Sequence, residues 1–377
     1  MSIKAQKKFF LKDQLFNAQT VQRLARAVKA SHADFNEDNF VAQALLRFPD
    51  LELKARIHHL VFCLGQQLPA DFNQAVAILR AALPPPLDPK LTDNDFGDFI
   101  WVVPGEYIAA HGCREAHLEV ALAFLREATQ RFSSEFALRP FLQNYPAQTL
   151  AHVRQWALDD NYHVRRLASE GTRPFLPWAQ RVVLPLSTLA DILEHLYFDD
   201  TRYVTRSVAN ALNDISKIDA QQALDLIEMW GSRGQQRADE FDWMARHALR
   251  SLLKADHPRA LAVCGYAPHP ELDCFNVQVD SEVRLGESLN WSAEILSHVR
   301  QKLRITLRLY FRKANGRHSV KVFAVKDVTV EPGERKRLSK PVGFKPMTTR
   351  ALYPGTHYFE MVVNGARQEK FAFELRS

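Results

Sequence analysis

Two stretches forty residues apart share one skeleton, Asp159-Asp-Asn-Tyr-His-Val-Arg-Arg166 and Asp199-Asp-Thr-Arg-Tyr-Val-Thr-Arg206. In each, an Asp precedes an Arg by six residues, and Asp50 with Arg56 repeats that spacing earlier in the chain. An Asp can close the turn between two helices while the Arg opens the second helix and ties it to the neighbouring pair. Stacked helical pairs of the HEAT kind are built this way, with periods of about 40 to 47 residues. The spacing therefore predicts a HEAT-like α-α superhelix whose second helices line a concave surface, with Arg166 and Arg206 as the ladder residues.

The rest of residues 1–268 agrees with a helical domain. Apolar residues recur at three- and four-residue spacing over residues 21–30, 40–46, 72–83 and 118–132. Pro84-Pro-Pro86, Pro89 and Phe175-Leu-Pro177 punctuate them. Residues 92–113, including Trp101-Val-Val-Pro-Gly-Glu-Tyr107, lack the period and read as a long excursion between helices.

After Pro268-His-Pro270 the pattern changes to period two, in segments such as Phe275-Asn-Val-Gln-Val, Leu303-Arg-Ile-Thr-Leu-Arg-Leu-Tyr-Phe and His357-Tyr-Phe-Glu-Met-Val-Val. About seven short strands are expected, separated by turns such as Ala314-Asn-Gly and Pro332-Gly. Residues 269–377 thus read as a small antiparallel all-β sandwich, immunoglobulin-like in architecture only, because no Cys-Trp-Cys arrangement is present.

Composition narrows the class. Among 377 residues, 46% are hydrophobic, with no unbroken apolar run long enough for a membrane span, so no membrane partner is expected. The opening Met-Ser-Ile-Lys-Ala-Gln-Lys-Lys lacks the apolar segment of a secretory signal. Cys63, Cys113, Cys264 and Cys274 are scattered, without a Cys-x-x-Cys pair, as suits reduced thiols in a cytoplasm. The net charge of +6 is uneven: residues 271–377 hold 19 Lys and Arg against 12 Asp and Glu, while the first 270 residues are nearly balanced. A basic C-terminal module beside a neutral helical one points to a polyanion, against the plainer reading of a basic, solvated surface.

The second helix of each repeat holds the candidate chemistry. Arg166, Glu170 and Arg173 share one face at spacings of four and three, with Arg165 beside them. In the next repeat Arg206, Asn210, Asn213 and Lys217 form an equivalent stripe, and a third offers Trp243, Arg246, His247, Arg250 and Lys254. Cations with amides suit phosphates, and taken singly each could equally be a solvated helix face. Glu170 stands out as a carboxylate inside a positive stripe, either an i, i+4 partner of Arg166 or a reacting group. Gly171 next to it would let a ligand approach the backbone. Trp178 and Trp243 could stack on a base or sugar, although burial is the commoner fate of tryptophan. No Walker loop, dinucleotide fingerprint or metal-spaced His and Cys set occurs, so no cofactor or metal is expected.

Four segments carry a resemblance: Arg131-Phe-Ser-Ser-Glu-Phe-Ala-Leu-Arg-Pro-Phe-Leu142, Tyr162-His-Val-Arg-Arg-Leu-Ala-Ser-Glu-Gly-Thr-Arg-Pro-Phe-Leu-Pro-Trp178, Tyr203-Val-Thr-Arg-Ser-Val-Ala-Asn-Ala-Leu-Asn-Asp-Ile-Ser-Lys217 and His247-Ala-Leu-Arg-Ser-Leu-Leu-Lys254. With the C-terminal module, they make the chain resemble the AlkC branch of the bacterial DNA alkylation repair glycosylases. The resemblance implies a monofunctional DNA glycosylase that removes cationic N-alkylated bases from duplex DNA, chiefly 3-methyladenine, with 3-methylcytosine in question. It implies a catalytic carboxylate, which the inter-helix spacing of the sister branch, counted back from Arg206, puts close to Glu170, with Asp159, Asp160, Asp214 and Glu135 open as second carboxylates. The sister branch has a Trp where this chain has His247, so part of its aromatic cage is absent or moved here.

The expected DNA contacts are Arg165, Arg166, Arg173, Arg206, Asn210, Lys217, Arg246, His247 and Lys254. To these the sandwich adds Arg312 and Arg317 in one loop, with Glu334-Arg-Lys-Arg337 as a second basic loop. The expected catalytic set is Glu170, Asp159 and Asp214. A monomer in the bacterial cytoplasm, at the nucleoid, would meet this substrate. The alternative is a non-catalytic HEAT-repeat scaffold that binds DNA or a protein, since fold alone does not select chemistry.

Overall fold

The computed structural model describes residues 10–91, 93, 96–345 and 351–377; the N-terminal segment read above for a signal lies outside the described residues. The chain forms two compact units, one of residues up to Asp219 with Met229–Ala248, the other of Ala220–Glu228 with Leu249–Ser377. Sixteen α-helices and then ten strands follow in order among the described residues.

In the first unit the helices pack in a regular alternation. Leu53–Gly65, Val102–Gly112 and Glu135–Asn144 stack in one row, and Tyr162–Glu170, Arg202–Ile215 and Ala238–Ala248 stack in another. Phe72–Ala81, Leu118–Ala128 and Pro146–Trp156 pack successively in a further row. The helical stretches anticipated from periodicity all lie in or overlap helices, including Ala18–Ser31 and Glu37–Arg47. Helix starts follow capping chemistry: the Asn17, Asn36, Asp71 and Asn161 side chains each accept a hydrogen bond from the first-turn backbone.

The excursion expected over residues 92–113 is in part a helix. Val102–Gly112 includes Pro104 and Gly105 in its first turns and buries Val103, Tyr107 and Ile108 alike. A helix buried on most sides carries no clear 3.6-residue signature, which is why its sequence looks irregular. The preceding segment is fastened to this unit: Leu87 N–H donates to the Gln130 carbonyl at 2.9 Å, and Arg131 Nε to the Pro84 carbonyl at 2.8 Å.

The ladder also differs from expectation. Arg165, not Arg166, ties the repeats: its guanidinium donates to the Asp159 and Asp160 carbonyls at 2.8 and 2.9 Å and to the Asp199 carboxylate at 2.5 Å. Asp199 in turn accepts from Thr201 N–H at 2.8 Å. Arg56 does the same work earlier, donating to the carbonyls of Lys12, Phe16, Phe48 and Leu51. Asp is doubled in both copies but Arg only in the first; the second copy, with Thr205 before Arg206, aligns with Arg166, and packing uses its neighbour instead.

In the second unit the strands are β1 (Leu272–Val279), β2 (Glu282–Arg284), β3 (Ser288–Leu289), β4 (Trp291–Ser297), β5 (Gln301–Arg312), β6 (His318–Val330), β7 (Arg335–Ser339), β8 (Val342–Gly343), β9 (Gly355–Val363) and β10 (Ala366–Arg376). Three strands pair as β1-β4-β7, five as β2-β10-β9-β5-β6, and two as β3-β8. Along β4, Trp291, Ala293 and Ile295 point into a core with Leu303, Leu307, Phe359 and Phe373. Two expectations are corrected here. The sheet is not wholly antiparallel, since β2 runs parallel to β10. Arg335–Arg337 are not a loop but the start of β7, paired with Leu296 to Glu294 of β4. Helical residues join this unit: Arg259 binds Asp225 at 2.5 Å and Glu228 at 2.6 Å, and Arg308 of β5 binds Asp256 at 2.5 Å.

One ionisable group sits badly in the first unit. Glu106 of the Val102–Gly112 helix has a buried Oε1 without a hydrogen-bond partner among the described residues. Burial pushes its carboxyl up from 4.5 to about 7, against the opposing pull of Lys54. The folded carboxyl therefore keeps a proton that the unfolded one releases, and stability is lost as pH rises between about 4.5 and 7. Urea unfolding should show a loss on the order of 3 kcal/mol across that window, at about 1.4 kcal/mol for each pH unit between the two values. Glu106→Gln should flatten that part of the profile; parallel profiles for the two proteins would show that Glu106 ionises normally.

Candidate active site

Helix packing gathers a buried chain of alternating charge. Arg166 reaches from the Tyr162–Glu170 helix to Glu135, at the start of the Glu135–Asn144 helix, and to Ser133 Oγ at 2.5 Å. On its other side it lies 3.8 Å from Glu170 Oε1. Arg173 donates to that same Oε1 at 2.6 Å and, through Nε, to Asp214 Oδ2 at 3.0 Å. Lys217 closes the chain on Asp214 Oδ1 at 3.1 Å. Glu170 Oε2 accepts from Ser207 Oγ at 2.7 Å, and Ser207 is also 2.5 Å from Ser169 Oγ.

Electrostatics keeps these groups charged. Burial alone would push the Glu170 carboxyl up, but Arg166, Arg173 and the Ser207 hydroxyl outweigh it and hold it below the usual carboxylate range. Burial would likewise weaken Arg173, whereas Glu170 and Asp214 hold its guanidinium above the ordinary value. Arg166 is held protonated against burial by Glu135, with the Tyr203 ring 4.9 Å from its guanidinium. The two carboxylates on Arg166 are not alike. Glu170 has both oxygens engaged and a side chain 7% exposed, whereas Glu135 is 15% exposed and both its hydrogen bonds fall on Oε2.

Backbone shape around the site has its own support. A Cβ on Gly171 would stand 2.6 Å from Leu138 Cδ2 and 2.8 Å from the Leu167 carbonyl, so the glycine admits a neighbouring helix, not a ligand as its sequence suggested. Arg139, fully buried, donates to the Gly171, Arg173 and Gln180 carbonyls at 2.7–2.9 Å. That grip fixes the loop carrying Trp178. Trp178 adopts φ of 62°, a left-handed conformation costly for a side chain, and its ring is 61% exposed. Lys54 Nζ holds the Trp178 carbonyl at 2.5 Å.

The other anticipated residues fall into distinct places. Asp159 caps the turn through Asn161 N–H at 2.9 Å and pairs with Arg126 at 2.5 Å, away from the Glu135–Glu170 cluster in its bonding. Asp214 belongs to the chain but is 1% exposed, also accepting Phe175 N–H at 3.3 Å. Arg206 pairs with Asp93, whose neighbour Phe96 meets the Tyr203 ring edge-on at 5.4 Å. His247 lies 2.9 Å from Asn210 Oδ1 and stacks on Trp243 at 5.1 Å. Trp243 also carries the Arg202 guanidinium at 3.9 Å, so its ring is used within the protein. Arg246 approaches Asp242 at 3.6 Å, and Lys254 is exposed at the end of Arg250–Lys254. In the sandwich Arg312 donates to the Pro354 carbonyl at 3.1 Å, while Arg317 is exposed at the β5–β6 hairpin. Ser133, Ser207 and Arg139 were missed by the reading of charges, although all three stand inside the quoted motifs.

Among the described residues, no helix is long and apolar enough to cross a membrane, and no cluster of His, Cys, Asp and Glu could hold a metal ion.

Comparisons with known proteins agree with this architecture. A family model described as "DNA alkylation repair enzyme" matches residues 126–254, the segment that carries the charged chain. A second, described as the C-terminal Ig-like domain of uncharacterised protein YhaZ, matches residues 274–377. The uncharacterized protein YhaZ of Bacillus subtilis (strain 168) is 32% identical over 367 residues, covering 96% of this chain and 98% of its own. Among solved structures, the alkylpurine DNA glycosylase AlkC of Pseudomonas fluorescens, bound to DNA containing an abasic site analog, is 34% identical. It covers 97% of this chain and 99% of its own, with a TM-score of 0.86. With a HEAT-like helical region, an Ig-like sandwich and full-length likeness to both proteins, this chain belongs to the AlkC branch of the DNA alkylation repair enzymes.

Proposed function

We propose that this chain is a monofunctional DNA glycosylase that hydrolyses the N-glycosidic bond of cationic N-alkylated bases in duplex DNA, chiefly 3-methyladenine, with 3-methylcytosine as a second lesion to test. The observation that carries the reading is the pair of carboxylates, Glu135 and Glu170, on either side of Arg166. Full-length likeness to an alkylpurine DNA glycosylase supports it.

Methylation puts a positive charge on the base and already weakens its bond to the sugar. When the C1′–N bond breaks, the electron pair leaves with the base, which departs neutral, and positive charge appears on the sugar. Ionised carboxylates stabilise that charge best when they are fixed beforehand, as Glu170 is by Arg173 and Ser207. A water then bonds to C1′ and gives up a proton. Glu135 is the more exposed of the pair and has its hydrogen bonds on one oxygen only, which suits it to take that proton. Trp178 is exposed, and we assign its ring to contact with a base or sugar. The chemistry uses a water and two side chains and calls for no cofactor.

Arg206, Lys217 and Arg317 are the cations proposed to meet the DNA backbone, Arg206 exchanging Asp93 for a phosphate. Arg173, buried at 6% exposure, supports the carboxylates from within.

Two measurements bear on the reading. Single-turnover release of 3-methyladenine should fall by on the order of 100-fold in Glu170→Gln and in Glu135→Gln, as for loss of one preorganised group, with DNA affinity retained. Normal excision by both variants would remove the pair from the chemistry and favour the scaffold alternative. Separately, Arg206→Ala, Lys217→Ala and Arg317→Ala should each flatten the dependence of log affinity on log salt by roughly 0.9 where a phosphate contact is lost. Unchanged slopes would leave these residues as surface cations.

A further inference from the structure

Away from the carboxylate chain, a cavity of about 410 Å³ opens where the Leu53–Gly65 and Val102–Gly112 helices end. Tyr107, His111, Arg114, His117, Asp71 and Phe72 line it. The basic groups are held there by design of the packing. The His111 ring lies on Tyr107 at 4.4 Å, and the His117 ring stacks on Phe72 at 4.4 Å. Phe72 can take that position because Gly112 is bare: a Cβ there would stand 2.3 Å from Phe72 Cζ.

Among the lining residues three basic side chains, His111, Arg114 and His117, face the single carboxylate Asp71. Asp71 keeps its charge, and one of its oxygens is turned to the Gln74 N–H at 2.8 Å as a helix cap. Arg114 is exposed and makes no ion pair among the described residues. Arg114 and His111 also repel: burial first, then the Arg114 charge, holds the His111 imidazole below its ordinary value. Two imidazoles and a guanidinium converging on one space, with a phenol beside them, offer an array of donors and positive charge. A tetrahedral oxyanion can accept from donors of each of these kinds, and its charge would offset the repulsion between Arg114 and His111.

We infer that this cavity is a binding site for a phosphate group, distinct from the Glu135–Glu170 cluster. The phosphate could belong to the backbone of DNA running past the catalytic region or to a free phosphate ion, and the chemistry of recognition is the same. The inference does not depend on base excision, because it concerns undamaged DNA and phosphate alone.

The test uses the full chain labelled at histidine Cε1 and followed by NMR at constant ionic strength. Titration with inorganic phosphate, and in a second arm with undamaged duplex DNA, should move the His111 and His117 signals together. If the source is the backbone, duplex moves them, and Arg114→Ala flattens the salt dependence of duplex binding by roughly 0.9. If the source is a free ion, phosphate moves them, duplex does not, and the salt slope of Arg114→Ala is that of the parent. Arg114→Lys should keep part of either effect, because it keeps the charge. Signals that stay in place with both ligands would overturn the site. Arg114 is exposed, so loss of the fold should not obscure its variants.

Discussion

The chain of alternating charges from Glu135 through Arg166, Glu170, Arg173 and Asp214 to Lys217 joins three helices, and much of the first unit is arranged around it. Such a chain is a poor way to stabilise a fold. Removing one partner of a buried pair costs about 3–5 kcal/mol, yet replacing the whole pair by apolar groups is often neutral or better. A sequence selected only to pack these helices would do well with leucine here. Keeping ionised carboxylates this deep makes sense if their charge is used, and the adjacent serines and Arg139 then read as the frame that holds them ready.

The sandwich unit illustrates a different constraint. Its β5 strand is tied to Asp256 through Arg308, and a Cβ on Gly365, in the turn between β9 and β10, would touch Leu261 at 3.0 Å. The short helices after Ala248 therefore pack with the sheets. Composition changes near Pro268, but packing divides the chain earlier, at Leu249.

How much of this was legible in the sequence depends on whether a feature leaves a period. The β4 and β5 strands did, because alternate residues face a core, and so did helices with one buried face. The Val102–Gly112 helix did not, being buried on most sides, with Ala110 and His111 exposed near its end. Arg335–Ser339 looked like a loop because its outward residues are charged, although Leu338 points into the core. At the site, Glu170 and Arg173 could be found from helical spacing. The bond from Arg166 to Glu135 could not, since it crosses 31 residues and depends on how two helices pack. The choice between Arg165 and Arg166 as ladder residue turned on one residue of register, and the second copy, with Thr205 opposite Arg165, pointed to the wrong one.

Arg139 imposes an order of events on a growing chain. Its guanidinium is buried against the Gly171 and Arg173 carbonyls and against Gln180, 41 residues further on. During synthesis the Glu135–Asn144 helix is made long before those acceptors leave the ribosome. Until then its arginine must stay hydrated, and the face that carries it cannot seal. The helix can form early, since its bonds are local, but its docking waits for the loop that bears Trp178. Glu135 thus stands exposed to water in the nascent protein, and the carboxylate cluster closes only once the segment that carries Trp178 has been made.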